Sequence, residues 1–322
     1  MTRLFIVNAK GSKRTAWYWR RHQKALREAF QGSEFLVVDA KKMQGLGSYL
    51  EFDQLVLVGT DPFFSLAINQ IFGERLTQGS EQVFAFLPTS RESSIAASLE
   101  LPFGLKQQID LITLGPQIPF DLIRCHCISP EGLPKSYLVL NDALIRLPHL
   151  KLPLLFRTVV QFMRTHTGLG AKAPSKITLF ERGVKFFEGE YLFSIILLGN
   201  KITGGPRLLQ KRRFMVKNFH YYQLNGQGLR EYTSALPKLF STESENPALF
   251  KGKYTELELR GLGEENRIVA DGNLIGRLPA SFTLLPKAIK VISPLSPIQR
   301  VEPVQSRVAT QAKPVGNLKL GA

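Results

Sequence analysis

Two clusters of residues in this chain have the types and spacing that chemistry requires. Cys125 and Cys127 flank His126. In a strand, alternate residues share a face, so the two thiols would sit side by side. A structural metal needs four ligands, and no second cluster supplies the rest, so the pair reads as two ordinary cysteines of a reducing compartment. The other cluster is cationic. Lys10 to Arg27 carries seven Lys or Arg and no acid, and Lys201 to Lys217 carries six and no acid. Such runs recruit a polyanion, whether a nucleotide, an anionic membrane surface or nucleic acid. Trp17 and Trp19 lie in the first run beside Arg20, Arg21 and Lys24, where stacking on nucleic-acid bases would be the chemistry. Two positions apart on a helix they face different directions, which favours one packed and one surface ring. Asp61-Pro62 has the form of a helix start, and Asp271-Gly272 the form of a hairpin turn.

Positioning such residues takes a sizeable fold, and 322 residues with 44% hydrophobic side chains and a net charge of +16 provide one. The spacing predicts strands at Leu4 to Val7, Glu34 to Val38, Leu55 to Val58 and Val83 to Leu87. Helices are expected over Thr15 to Phe30 and through Phe64, Ala67, Ile68 and Ile71. Short apolar strands with intervening helices point to a parallel α/β sheet covered on both faces. From about Gln107 strand-like runs follow one another: Ile109 to Leu114, Ile123 to Ile128, Tyr137 to Ile145, Lys176 to Phe180, Tyr191 to Leu198, Phe214 to Leu224, Thr255 to Leu259, Arg267 to Ala270 and Ile289 to Ile292. One helix, Leu154 to Arg164, interrupts them. The fold class expected is therefore α/β plus β: an N-terminal parallel α/β domain over 1–105, then an antiparallel β-sandwich-like domain over 106–292. Each is expected to hold its own sheet. The stretch 293–322, with Pro294, Pro297, Pro303 and Pro314, is poor in large apolar residues and is expected to be disordered. The apolar runs stop short of the roughly 20 residues that span a bilayer. The expected location is cytoplasmic, with a peripheral place on the inner membrane face.

An α/β sheet binds ligands at the carboxyl ends of its strands, and there the motifs resemble those of the diacylglycerol-kinase-like lipid kinases. Asn8-Ala9-Lys10-Gly11-Ser12-Lys13 is similar to the family's asparagine-proline-x-x-glycine turn. Val58-Gly59-Thr60-Asp61-Pro62-Phe63 stands where the family has Gly-Gly-Asp-Gly-Thr. Pro88-Thr89-Ser90-Arg91-Glu92-Ser93 stands where it has Pro-x-Gly-Thr-x-Asn-Asp, and Ala96 with Leu99-Glu100-Leu101-Pro102 resembles the helix and leucine-x-x-proline that follow. Later, Leu198-Gly199-Asn200 with Gly204-Gly205-Pro206 resembles a Gly-Asn strand end and glycine pair. Asp271-Gly272-Asn273, followed by Pro279 and Pro286, resembles a late Asp-Gly-Glu turn. The resemblance is collinear over residues 3 to 292. Asn141-Asp142 is similar to the Asn-Glu pair of the related NAD kinases, although the glycine pair after Asn200 favours the lipid branch.

The resemblance implies a nucleotide-binding first domain and a lipid-binding second one, with ATP and Mg²⁺ as cofactors. The implied activity is phosphoryl transfer to a lipid hydroxyl at the membrane surface. It places Asn8, Lys10, Gly11, Ser12, Gly59, Thr60, Asp61, Ser65, Thr89 and Ser90 around the nucleotide, with Gly11, Gly59, Asp61 and Ser90 converging on one cleft. The catalytic set would be Asp61, Asp271 and Asn273. The family's general base falls at Asn273, which takes up no proton usefully at neutral pH, so Asp271 is expected to stand in. Other departures are Thr60, Pro62 and Phe63 in the phosphate loop, and Lys217-Asn218 where the family helps to hold a structural Mg²⁺. The implied partners are a lipid substrate or anionic membrane surface and a nucleotide, with nucleic acid disfavoured. A catalytically degenerate relative, acting as a nucleotide- or lipid-binding module, is the alternative.

Overall fold

The computed structural model describes residues 1–43, 46–73, 80–146, 175–205, 207–209, 217–225, 249–261 and 266–295. The chain opens with strand β1 (Arg3–Val7), helix α1 (Lys13–Ala29), strand β2 (Glu34–Val37), strand β3 (Gln54–Gly59), helix α2 (Asp61–Phe72) and strand β4 (Val83–Pro88). These four strands pair in parallel in the order β2-β1-β3-β4. Both faces of β1, β3 and β4 are buried. Leu57 and Phe86 pack with α2 on one side, while Val58 and Ala85 pack with α1 on the other. Short helix α3 (Ser94–Ser98) and helix α4 (Leu105–Leu114) follow.

The rest of the described chain is strand: β5 (Gln117–Ile128), β6 (Pro134–Val139), β7 (Asp142–Arg146), β8 (Ser175–Glu181), β9 (Val184–Leu197), β10 (Phe219–Asn225), β11 (Leu249–Tyr254), β12 (Glu256–Gly261), β13 (Arg267–Ala270) and β14 (Asn273–Ile292). Their pairings with one another are antiparallel. A second apolar core forms between them around Tyr191, Tyr221, Phe219 and Phe282, all at most 1% exposed.

Three expectations need correction. The two lobes do not hold separate sheets, because the 20-residue β14 is long enough to serve both. Its first part pairs with β12 and β13, and its end pairs with β4 in parallel at Lys290 and Val291. All 14 strands therefore belong to one hydrogen-bonded network. Ile109 to Leu114 is not a strand but the second half of α4. The helix follows its cap residue Gly104 and buries Gln108 and Ile112, four residues apart on one face. The run Tyr137 to Ile145 breaks at Leu140-Asn141 into β6 and β7, because both amides there donate to Asp271. Strand β11 is an additional element, whose central Lys251-Gly252-Lys253 hides the apolar alternation in the sequence. The helix expected at Leu154 to Arg164, the residues Phe214 to Val216 and the stretch 296–322 lie outside the described residues.

Candidate functional site

The turns after β1, β3 and β4 meet at one edge of the parallel strands. Ser12 caps α1 by accepting from the Thr15 amide at 3.3 Å. The Thr15 and Thr89 hydroxyls are 3.2 Å apart, and Thr89 donates to the Gly59 carbonyl at 3.0 Å. Arg14 donates to the Ser90 hydroxyl at 2.7 Å. Asn8 accepts from the Ala40 amide at 3.0 Å, which pins the chain beside Gly11. A Cβ on Gly11 would come within 2.4 Å of the Asn8 side-chain oxygen, so a glycine is required there. Lys10 and Gly11 are exposed at the rim. Helix α1 has no acid in its own first turn, so its positive end faces this edge, where the Glu92 carboxylate lies 3.8 Å from Arg14.

Asp61 is the first residue of α2, and Thr60 precedes the helix as its cap residue. Its carboxylate does not cap α2. One oxygen accepts from the Ser94 amide at 2.6 Å and the Ser94 hydroxyl at 2.7 Å, and the other accepts from the Ser93 hydroxyl. The carboxylate thus satisfies the start of α3, the helix after β4, and is only 4% exposed.

From Ser94 the polar contacts cross into the second lobe. Its hydroxyl lies 3.0 Å from that of Thr203 and accepts from the Asn141 side-chain amide at 3.1 Å. Asn141 also donates to Asp142 at 2.6 Å and to the Lys201 carbonyl at 2.8 Å. Asp142 accepts from the Thr203 amide at 3.0 Å and from its hydroxyl. Ser98 bridges toward Asn200 at 3.0 Å. Gly199 passes so close that a Cβ there would lie 2.0 Å from the Asn141 side-chain oxygen.

Asp271 closes the network. With Gly272 it forms the two-residue turn between β13 and β14, at φ 47° and 84°. Positive φ at both positions is what such a turn requires. Its carboxylate accepts from the amides of Leu140, Asn141 and Asp142 at 2.8, 2.8 and 3.1 Å and is fully buried. Burial, then the nearby Asp142 carboxylate, push Asp271 up to about 7, against the pull of the amides and the Ser65 hydroxyl. Burial, reinforced by Asp61, likewise pushes Asp142 up to about 6 despite its donors. Asn273 donates to the Pro62 carbonyl at 2.8 Å and to the Tyr137 hydroxyl at 3.2 Å, and that hydroxyl lies 3.0 Å from Ser65.

The structure thus gathers Asn8, Lys10, Gly11, Ser12, Gly59, Thr60, Asp61, Thr89 and Ser90 along one edge. It corrects two roles. Ser65 is fully buried and spent on Tyr137 and Asp271, so it cannot reach a nucleotide at the rim. Asp271 is sealed and holds three amides, so it offers no oxygen to a substrate proton. The sequence reading missed Asp142, Ser94, Thr203 and Tyr137 as members of the site. Only the Asn141-Asp142 pair carried any signal. A divalent cation needs carboxylate oxygens free to ligate. Asp61, Asp142 and Asp271 are each at most 4% exposed; both oxygens of Asp61 and of Asp271, and Oδ1 of Asp142, accept from the chain's own donors. Mg²⁺ therefore does not fit this arrangement. Among the described residues no group of three or more His, Cys, Asp or Glu is placed to hold a metal.

No protein-family model and no curated protein matches the sequence. Solved structures do. A Bacillus anthracis str. Sterne protein assigned as a diacylglycerol kinase superposes with a TM-score of 0.69 at 17% identity, over 91% of this chain and 96% of that one. Another diacylglycerol kinase structure from the same organism gives 0.63 at 16% identity, over 91% and 96%. An NAD kinase from Archaeoglobus fulgidus, solved with ATP, gives 0.51 at 14% identity, over 91% and 94%. The chain has the fold shared by diacylglycerol kinases and NAD kinases.

Proposed function

We propose that this protein is a catalytically altered relative of the lipid kinases that binds a nucleotide through its phosphates and does not transfer a phosphoryl group by a metal-and-carboxylate route. The observation that carries this reading is the closure of every acid at the seam. Asp61, Asp142 and Asp271 are buried and bonded to protein donors, and Asn273 stands where a general base is needed. The rim keeps groups that suit a polyphosphate: the N-terminal end of α1, the Ser12 hydroxyl, and the cations Lys10, Arg14 and Lys201. Arg14 and Lys201 reach the loop after β4 from opposite lobes, at the Ser90 hydroxyl and the Glu92 carbonyl. An active lipid kinase is the second reading, favoured by the place of Asp61 at the end of β3. It requires Asp61 to release Ser93 and Ser94.

Titration calorimetry with ATP, with Mg²⁺ and with chelator, tests the reading beside a radiolabelled-ATP assay over a panel of diacylglycerols. Nucleotide binding that is indifferent to Mg²⁺, with no label on lipid, is the expected result. Label transfer that disappears in Asp61→Ala would replace it with the kinase reading.

A further inference from the structure

We propose that Cys125 and Cys127 form a two-thiolate site for a soft monovalent cation of the Cu(I) class. The pair lies in the second lobe, and the proposal does not rest on the nucleotide reading. Both residues sit on β5 with His126 between them, and their side chains share the inner face. Cys125 is fully buried, Cys127 is 5% exposed, and His126 faces out. The two thiols are hydrogen-bonded to each other. The Cys127 sulfur lies 3.9 Å from the Ile275 carbonyl and over Gly276, where a Cβ would come within 2.7 Å of it. The sulfur has its room because the residue beneath it carries no side chain.

The strand decides between a cation and a disulfide. Residues two apart on a strand are about 6.7 Å apart, whereas a disulfide draws its two Cβ atoms to about 3.8 Å. Strand β5 cannot bend to close that gap without breaking ladders on both sides. Cys125 pairs with Phe282 and Tyr137, and Cys127 with Ala280 and Lys135. A metal–thiolate bond of about 2.3 Å lets a two-coordinate ion hold its sulfurs about 4.6 Å apart. Rotation about the two Cα–Cβ bonds supplies that separation.

Softness and charge select the ion. Among the described residues no third His, Cys, Asp or Glu is grouped with the pair, so Zn²⁺ lacks the four ligands it takes. Cu(I) prefers thiolates, and two suffice for it. The Cys125 thiol, and after it the Lys135 ammonium, pull the Cys127 thiol below its ordinary pKa despite its burial. Burial pushes the Cys125 thiol up, so the ion must displace its proton. Cu(I) between two thiolates carries one net negative charge, which Lys135, across from Cys127, offsets. Tyr137, Ile275 and Phe282 belong to the same apolar core, which keeps out water and hydrated ions. Binding releases two thiol protons to solvent and oxidises nothing.

The chain has two cysteines, so any copper–thiolate signal comes from this pair. The test is anaerobic titration of the full, reduced chain with Cu(I), supplied as its acetonitrile complex, in competition with bicinchoninate. One equivalent per chain should be held against the competitor, with a thiolate-to-copper absorption band in the ultraviolet. Its affinity should rise with pH, because two protons leave. Cys125→Ser and Cys127→Ser, each checked by circular dichroism, should lose that equivalent. Cys127→Ser, nearer the surface, decides the matter if Cys125→Ser does not fold. Zn²⁺ in place of Cu(I) should not be retained. Failure to hold Cu(I), retention by Cys127→Ser, or equal retention of Zn²⁺ would each overturn the proposal. So would rapid closure of the pair to a disulfide by diamide in the folded chain, because it would show that β5 bends.

Discussion

Ser94 meets the Asp61 carboxylate twice, through its amide at 2.6 Å and its hydroxyl at 2.7 Å. One residue so joins the end of β3 to the start of α3. The same hydroxyl accepts from Asn141 and lies against Thr203, so it also joins the two lobes. An acid that is free to bind a cation or a substrate hydroxyl cannot be held in this way. That relationship shapes the expected behaviour of the site.

Ser94→Ala should destabilise the fold by about 1–3 kcal/mol, because it leaves a buried carboxylate and the Asn141 side chain each short of a partner. Urea unfolding of the parent and the variant measures it. A loss under about 0.5 kcal/mol, the range of ordinary surface changes, would mean that the bond is not made in solution.

Gly199→Ala should also destabilise, here by crowding. The added methyl would meet the Asn141 oxygen at 2.0 Å and the Ser98 hydroxyl at 2.5 Å, both in buried residues of the seam. Overpacking of this kind costs about 1–3 kcal/mol. A melting temperature within error of the parent would show that the strand end can move away.

Part of this was legible in the sequence. Leu4 to Val7, Leu55 to Val58 and Val83 to Leu87 are short apolar runs closed by turn residues, and each is a strand within one residue or so. Asp271-Gly272 was readable as a turn because both residues tolerate positive φ. The meaning of Asp61 was not. Whether an acid after a strand faces a ligand or caps another helix depends on Ser93 and Ser94, some thirty residues away. The reach of β14 was hidden for a related reason. Pro279 and Pro286 interrupt its pattern, and the register shifts against β5 fall between Arg277 and Ala280 and between Leu285 and Ile289, beside those prolines. The seam is built from residues whose partners are distant in sequence, and local spacing does not encode such pairs.

Arg14→Ala and Lys201→Ala should each weaken ATP binding by about tenfold, equivalent to roughly 1.4 kcal/mol for one charge-assisted contact. Raising the salt should narrow the difference, since both groups lie at the rim. Calorimetry at two ionic strengths measures it. If both variants bind ATP as the parent does, the phosphates do not lie between the two lobes' cations.

The buried acids give the protein a signature in its dependence on pH. Asp271 is pushed up to about 7 and Asp142 to about 6, from ordinary values of 3.8. Between pH 4 and 7 the folded protein keeps protons that the unfolded chain has released. Stability from these two groups therefore falls as the pH rises through that window and levels off above it. Asp271→Asn keeps a side-chain oxygen for the three amides but no longer titrates, and it relieves the repulsion on Asp142. The stability of the variant relative to the parent should thus climb as the pH goes from 5 to 8, by up to about 1.4 kcal/mol per pH unit for the one proton removed. Urea unfolding of both proteins across that range measures the difference, in which groups elsewhere in the chain cancel. A difference that stays flat from pH 5 to 8 would show that Asp271 is already ionised at pH 5, and that its three amides outweigh its burial.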